Sequence, residues 1–138
     1  MNILFENTIQ TIIHHPEINT LEQLFKRESD TVFGEHYQEE MTQFLGYCQK
    51  YKPSQLIINN KEAGYAIEPE MQEWMHVHIY PQLSEAGVVR KAYVLGEDII
   101  NQLSVEQTAT EDPNPLFEFN FFSDLDEGKT WLAQRLVH

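Results

Sequence analysis

The sequence predicts an α/β fold with a mixed, mainly parallel sheet, an antiparallel N-terminal edge and about four helices. From residue 33 onward, helical patterns alternate with short apolar runs, and this alternation calls for parallel strands joined by right-handed crossovers. Before that point, strand-like runs follow one another across short polar breaks, which favours antiparallel pairing. At 138 residues, the chain is most simply one domain spanning residues 1–138.

Three apolar or alternating runs at the N-terminus predict the antiparallel strands. They are Ile3–Phe5, Ile9–Ile13 and roughly Ile18–Arg27, separated by Asn, Pro and Asn-Thr. In the third run, Leu21, Gln23 and Phe25 share one face, and the residues between them share the other. Because an edge strand can pair with a copy of itself, the alternative of a homodimer stays open.

A long helix and a buried strand are predicted next. The helix extends from about Phe33 to Lys50, because its apolar residues recur at helical spacing. This stripe consists of Phe33, Tyr37, Met41, Phe44, Leu45 and Cys48. Pro53 prevents the helix from continuing, and the β-branched run Gln55–Asn59 then predicts a strand.

The segment after this strand carries the signals of a turn followed by a helix. Residues 59–64 contain turn formers, and Pro69 between two glutamates is typical of a helix N-terminus. The helix extends from Glu70 to Gly87, and Pro81 is expected to kink or end it. Its apolar face consists of Met71, Trp74, Met75, His78 and Ile79.

A strand, a helix and a loop follow. The apolar run Lys91–Leu95 predicts a buried strand. Asp98 is placed to cap a short helix, and Ser104, in capping-box form with Gln107, is expected to restart it. The apolar side chains at its start are Ile99, Ile100 and Leu103. Thr110–Pro115 predicts a loop.

The C-terminal part predicts an aromatic strand and a final helix. Within Leu116–Phe122, Phe117, Phe119 and Phe121 share a face, which the last helix is expected to cover. Ser123-Asp124 is placed to cap this helix, which carries Leu125, Trp131, Leu132 and Leu136. Gly128 lowers helix propensity, and we expect a close approach to the sheet to compensate.

Composition excludes several classes of partner. The net charge is -13, from 22 acidic and 9 basic residues, whereas nucleic-acid binders need a basic surface to displace counterions. No apolar run is long enough for a transmembrane helix, and the N-terminus lacks the pattern of a signal peptide. The single cysteine, Cys48, excludes an intramolecular disulfide and fits a reducing cytoplasm.

No motif in the sequence specifies catalysis, a metal or another cofactor. His14 and His15 point to opposite faces of a strand, and His76 and His78 are two apart on a helix, where metal ligands need a spacing of four. No nucleophile elbow or glycine-rich phosphate loop is present. Cys48 lies on an apolar helix face, where a thiol behaves as a small hydrophobe. We therefore expect no catalytic residue, no metal and no cofactor.

The second half of the chain resembles the small bacterial proteins of STAS-like fold. The matching segments, spread over Gln55–Leu132, are QLIIN, IEPEMQEW, IYPQLSEAGVVRKAYVL, GEDIINQLSVEQ and FNFFSDLDEGKTWL. This is the fold of the sporulation anti-sigma-factor antagonist, and several similar proteins carry a combined STAS and CRAL-TRIO-like label. The resemblance implies a regulatory or ligand-binding domain without catalysis. In the antagonists a serine before the second helix is phosphorylated, but Lys61–Glu70 contains no Ser or Thr.

We expect the candidate site at the loop and helix start within Asn59–Trp74, because ligands and partners bind where the strands of an α/β sheet end. The candidate binding residues offer amide, charge and aromatic contacts and are Asn60, Lys61, Tyr65, Glu70 and Trp74. A structural role is the alternative for each of them. Trp74, for example, lies on an apolar stripe, and Glu70 stands at a helix start.

Three hypotheses for function follow. The leading one is a cytoplasmic, non-enzymatic domain that binds a protein partner through the Asn59–Glu70 loop and the edge of the following helix. The second is a carrier or sensor of a small apolar or lipid-like ligand, held between the Trp74 helix and the sheet. The third, an enzyme that uses carboxylates or histidines in that cleft, has the least support.

Overall fold

The computed structural model describes residues 1–112 and 115–135, and within them six strands form one sheet in sequence order. The strands are β1 (Asn2–Glu6), β2 (Gln10–His15), β3 (Thr20–Phe25), β4 (Gln55–Asn59), β5 (Arg90–Val94) and β6 (Glu118–Phe122). The α-helices are α1 (Gly34–Tyr51), α2 (Pro69–Trp74), α3 (Tyr80–Glu85), α4 (Ile99–Thr110) and α5 (Leu125–Arg135). A π-helical turn, Met75–Ile79, joins α2 to α3, so four helical segments accompany the sheet in the described part.

The sheet is antiparallel at its N-terminal edge and parallel elsewhere. β1, β2 and β3 pair antiparallel across short connections, whereas β3, β4, β5 and β6 pair parallel. A few residues suffice to reverse the chain, but a parallel neighbour requires a crossover about as long as a helix. The helices between the parallel strands supply these crossovers. The predicted fold class, including its antiparallel edge, is confirmed.

The pleat of the strands divides their side chains between a front face, which packs on α1 to α4, and a back face, which packs on α5. On the front face, Leu21 and Leu56 belong to a core that includes Met41 of α1. On the back face, Ile57 packs with Leu132 of α5. The central parallel strands are therefore covered on both sides, as parallel sheets require.

Pro81 explains the π-helical turn between α2 and α3. Proline has no N–H to donate to the carbonyl four residues earlier, so a regular helix cannot pass through it unchanged. The chain widens into the π turn over Met75–Ile79 and resumes as α3, with Pro81 in its first turn. The regular helix is thus interrupted just before Pro81 and continues beyond it, and Met75 and Ile79 of the π turn both reach the front core.

The prediction that Ser104 restarts a helix is wrong, because α4 is continuous from Ile99 to Thr110. The Ser104 hydroxyl donates to the Asn101 carbonyl at 3.0 Å and accepts the Ile67 N–H at 3.1 Å. These bonds engage Ser104 within the helix and with a neighbouring loop, so it does not act as a cap. Asp98 does cap α4, since its carboxylate accepts the Asn101 N–H at 2.9 Å.

The prediction that the last helix covers the Phe119 and Phe121 face is also wrong. In the strand register these two residues lie beside Lys91 and Tyr93 on the front face. Helix α5 instead packs against Phe122 on the back face. The sequence pattern gives the alternation of the strand but not which of its two faces the final helix meets.

The predicted close approach of Gly128 to the sheet is confirmed. A Cβ atom at this position would lie 3.5 Å from both the Ala92 Cβ and the Phe122 Cδ2. The glycine therefore lets α5 sit directly on β5 and β6. Two further predictions, on Leu136 in this helix and on residues 113 and 114 of the loop, lie outside the described residues.

Gly96, between β5 and α4, marks the closest approach of two loops, and its replacement is the first test of the fold. A Cβ atom there would lie 2.5 Å from the carbonyl oxygens of Asn60 and Lys61. Because backbone atoms cannot move aside cheaply, we expect Gly96→Ala to lower the free energy of unfolding by about 2 kcal/mol or more. Urea denaturation followed by circular dichroism measures this loss.

Gly46→Ala is the matched control. Gly46 is exposed within α1, and a Cβ atom there would meet nothing within 4 Å. Alanine has the higher helix propensity, so this variant should be more stable than the parent by up to about 1 kcal/mol. Equal stability of the two alanine variants would contradict the close approach at Gly96.

Candidate functional site

The candidate site lies at the carboxyl ends of β4 and β5, where the sheet was predicted to bind ligands or partners. Two connections meet there, namely the loop that leaves β4 and the segment that leads from β5 into α4. The Asn60 N–H donates to the Val94 carbonyl at 2.8 Å, and Gly96 approaches the backbone of Asn60 and Lys61. The two connections therefore form one continuous surface.

Two of the predicted binding residues, Asn60 and Tyr65, are buried and shape the loop. The Tyr65 hydroxyl donates to the Asn60 side-chain oxygen at 2.8 Å, and the Tyr65 ring packs on Phe25 with centroids 4.5 Å apart. Burial raises the pKa of the Tyr65 phenol, so it stays protonated. These residues anchor the loop to the core and do not face an incoming partner.

The other three predicted residues are more accessible but do not converge. Lys61 is exposed, and its ammonium donates to the Ser123 carbonyl at 2.8 Å, which ties the loop to the end of β6. Glu70 is exposed in the first turn of α2. Trp74 is half-buried and lines an open groove against α1 together with Gln43. The five predicted residues therefore form no single pocket.

Helix α4 exposes large aliphatic side chains near its start, whereas its buried side includes several polar groups. Its buried side chains are mostly polar or small, namely Asn101, Ser104, Val105, Thr108 and Ala109. Its exposed side chains include three large aliphatic groups, Ile99 (67% exposed), Ile100 (65%) and Leu103 (53%). The exposure of these three aliphatic side chains is unusual, because a surface helix normally buries such residues.

The loop after β4 explains why the polar face of α4 is turned inward. The Asn101 amide donates to the Tyr65 carbonyl at 2.8 Å, and the Ser104 hydroxyl accepts the Ile67 N–H at 3.1 Å. Buried backbone groups need such partners, because an unsatisfied one costs about 1–3 kcal/mol. With its polar residues committed to the loop, α4 presents its aliphatic residues to solvent.

Two acidic residues, Glu97 and Asp98, directly precede the exposed aliphatic side chains, and further exposed carboxylates lie in the loop after β4 and at the start of α2. We call the combination of Ile99, Ile100 and Leu103 with the exposed carboxylates of the adjoining loops the α4–loop surface. These carboxylates are Glu62 and Glu68 in the loop after β4, Glu70 in the first turn of α2, and Glu97 and Asp98 before α4. Glu62 Oε2 lies 3.7 Å from Arg27 Nη2. The sequence analysis missed this surface, although Asn101, Ser104 and Thr108 follow a helical spacing that is an equally regular stripe.

A buried lysine on the front face is a second feature that the sequence analysis missed. Lys91 is 3% exposed, and its ammonium nitrogen lies 3.5 Å from the Tyr80 ring centroid and 4.3 Å from that of Phe117. Burial lowers the pKa of Lys91 to about 7, although the negative charge of Asp112 partly opposes this shift. A sizeable fraction of Lys91 is therefore an uncharged amine at neutral pH.

Lys91 lines a cavity of about 40 Å³ between the sheet and the helices. The wall is aromatic and aliphatic, with Tyr37, Tyr65, Tyr80, Tyr93, Met41, Phe44, Met75, Ile79 and Val105 among its members. Burial raises the pKa of Tyr80 and of the neighbouring Cys48 thiol, each to about 12. The Tyr80 phenol and the Cys48 thiol therefore stay protonated and uncharged, whereas the Asp112 carboxylate acts on Lys91 with a negative charge.

A polar network joins β2, β3 and β4 on the back face. His15 Nε2 and Glu22 Oε1 are 2.8 Å apart, and the Asn59 amide donates to Glu22 Oε2 at 2.9 Å. All three residues are buried. Among the described residues, no group of three or more His, Cys, Asp or Glu side chains is arranged to hold a metal ion. The network therefore links the antiparallel edge to the parallel body of the sheet.

The burial of Lys91 predicts how stability depends on pH. Between about pH 7 and 10 the unfolded chain keeps a proton on Lys91 that the folded chain has lost, so the free energy of unfolding rises with pH. Lys91→Met should remove a rise of about 2 kcal/mol between pH 7 and 9 and stabilise the protein at pH 6. Urea denaturation at a series of pH values measures both effects.

The exposed Lys50 provides the control for this experiment. Lys50→Met should keep the pH dependence of the parent. Above about pH 10 the parent and Lys50→Met should both lose stability. Burial raises the pKa of Tyr37 and Tyr93 above the ordinary value that they have in the unfolded chain, so the unfolded chain loses these protons first. If the free energy of unfolding of Lys91→Met still rose as in the parent between pH 7 and 9, Lys91 would not be the source of the pH dependence.

Comparison with protein-family models, with curated proteins and with solved structures finds no match to this chain. The resemblance to STAS-like proteins therefore stays a prediction. In the part of the chain that the structure describes, no helix is both long and apolar enough to cross a membrane.

Proposed function

We propose that this chain is a non-enzymatic interaction domain that binds a protein partner through the α4–loop surface. The observation that carries the proposal is the exposed aliphatic group at the start of α4, namely Ile99, Ile100 and Leu103. Exposed aliphatic clusters on soluble proteins mark interaction sites more often than isolated apolar residues do. Removing these side chains from water on binding contributes about 1 kcal/mol or more for each.

Charge indicates the kind of partner. The aliphatic side chains are flanked by exposed carboxylates, among them Glu97 and Asp98 directly before Ile99, in a chain of net charge -13. A second copy of the chain would bring like charges together, which opposes association through this surface. A partner with an apolar centre and a basic rim fits it, and opposite charge would also speed the encounter.

The resemblance to STAS-like proteins supports a regulatory role for such an interaction in a bacterial cytoplasm. The loop Lys61–Glu70 lacks Ser and Thr, so regulation by phosphorylation of this loop is not part of the proposal. Its carboxylates Glu62, Glu68 and Glu70 carry fixed negative charge instead. The single buried thiol of Cys48 agrees with a reducing compartment.

A second candidate function, a carrier or sensor, is favoured by the cavity at Lys91. This cavity lies between the sheet and the helical segment that contains Met75 and Ile79, but Trp74, the predicted binding residue of that segment, does not line it. Its volume of about 40 Å³ is room for about three water-sized groups, far less than a lipid requires. The candidate ligand is therefore small.

The interaction proposal is tested by removing the aliphatic side chains. Because Ile100 and Leu103 are exposed, Ile100→Gln/Leu103→Gln should change the free energy of unfolding by no more than about 0.5 kcal/mol. Cross-linking in the native cell extract followed by mass spectrometry identifies partners of the parent protein. A partner that binds through this surface should, once purified, bind the double variant at least about tenfold more weakly in calorimetry.

Ile3→Gln is the matched control, since Ile3 is 60% exposed on β1, at the other edge of the sheet. This variant should bind the purified partner like the parent. Glu68→Gln/Glu97→Gln should slow association and reduce its dependence on salt. Equal binding by the parent and the Ile100→Gln/Leu103→Gln variant would overturn the proposal.

A further inference from the structure

We propose that the Lys91 amine is a covalent binding site for a small uncharged aldehyde, which it takes up reversibly as an imine. The proposal does not depend on the α4–loop surface. It rests on the position of Lys91 in the wall of the cavity, on the aromatic groups around its nitrogen and on the size of the space beside it. It also names a ligand class and a binding residue for the carrier or sensor hypothesis.

The geometry places the amine in a water-poor, mostly apolar setting. The Lys91 nitrogen lies 3.5 Å from the Tyr80 centroid, 4.3 Å from that of Phe117 and 5.9 Å from that of Tyr93. Aromatic faces stabilise an ammonium ion but replace only part of its lost hydration. Desolvated lysines of this kind are the ones that act as nucleophiles toward carbonyl compounds.

The charged and titratable groups around Lys91 come from several elements. Two groups interact electrostatically with Lys91, namely Cys48 of α1 and Asp112 after α4. The phenols of Tyr80 in α3 and Tyr93 in β5 interact with each other, and Asp112 also acts on Tyr80. Burial raises the pKa of the Cys48 thiol and of both phenols. At neutral pH these three groups keep their protons. The Asp112 carboxylate favours the charged form of Lys91, but burial has the larger effect and favours the uncharged form, which can supply a free electron pair.

The reaction needs no oxidant or reductant. The uncharged Lys91 nitrogen adds its electron pair to the aldehyde carbon, and the carbon–oxygen π bond opens. A proton then passes from nitrogen to oxygen to give a neutral carbinolamine. Loss of the hydroxyl with one proton from nitrogen releases water and forms the carbon–nitrogen double bond. The buried phenols of Tyr80 and Tyr93 line the same cavity and stay protonated, so they are hydrogen-bond donors for the carbinolamine oxygen.

The cavity sets the class of ligand. A volume of about 40 Å³ admits about three heavy atoms, which is the size of acetaldehyde. A carboxylate-bearing aldehyde such as glyoxylate would have to lose its hydration against aliphatic walls that include Met41 and Ile79. A smaller cavity of about 10 Å³ shares Tyr80, Lys91 and Tyr93 and borders Leu116, which is partly exposed at the surface.

The test is reductive trapping in the folded protein. The parent protein is incubated with acetaldehyde and cyanoborohydride at pH 7, and the ethyl group on each lysine is followed by peptide mass spectrometry. Lys91 should be modified at least about tenfold faster than the exposed Lys50 and Lys52, because only an uncharged amine adds to a carbonyl and burial favours that form of Lys91. Its labelling rate should also level off above a midpoint near pH 7.

Three controls decide the outcome. Lys91→Met should lose the fast phase while Lys50 and Lys52 react as before, and guanidinium-unfolded parent protein should show equal rates at all lysines. Glyoxylate should label Lys91 no faster than the exposed lysines. The proposal is overturned if Lys91 in the folded protein reacts no faster than Lys50, or if glyoxylate labels it as fast as acetaldehyde does.

Discussion

The inward course of the β4–α2 loop is the constraint on which the arrangement of this end of the molecule depends. Its backbone is buried near Tyr65 and Ile67, and buried peptide groups must find hydrogen-bond partners. Asn101 and Ser104 of α4 provide them. A helix can turn only one of its faces toward the core. Because α4 turns Asn101 and Ser104 inward to bind the loop backbone, Ile99, Ile100 and Leu103 face water. The architecture of the loop thus determines the chemistry of the neighbouring surface.

The fold was largely predictable because its signals are local. The strand Gln55–Asn59 has the predicted bounds, and Pro81 interrupts the second helical segment as its chemistry requires. The Ser104 capping box was not a reliable signal, because the same hydroxyl can serve a neighbouring chain segment. The face of β6 covered by α5 depends on the path of the chain after Phe122, which strand alternation does not specify.

The place where β4 and β5 end was predictable from the sequence, but the burial and partners of the residues there were not. The edge of the sheet follows from strand order, yet whether Asn60 and Tyr65 face outward or inward depends on contacts with α4 that are distant in sequence. The burial of Lys91 is a similar case. A lysine at the start of a strand is usually exposed, and only the packing of Tyr80 and Phe117 over it makes it interior.

The interior position of Lys91 also bears on how the chain folds. Folding transition states of small domains already bury most of the surface that the native state buries. β5 occupies the middle of the parallel part of the sheet, so its pairing with β4 and β6 requires Lys91 to leave water. Dehydration of Lys91 in the transition state favours the uncharged amine, so loss of its proton becomes a step of folding. Acidification would then slow the assembly of the parallel sheet, and the acidity of the medium would influence how quickly a new chain matures.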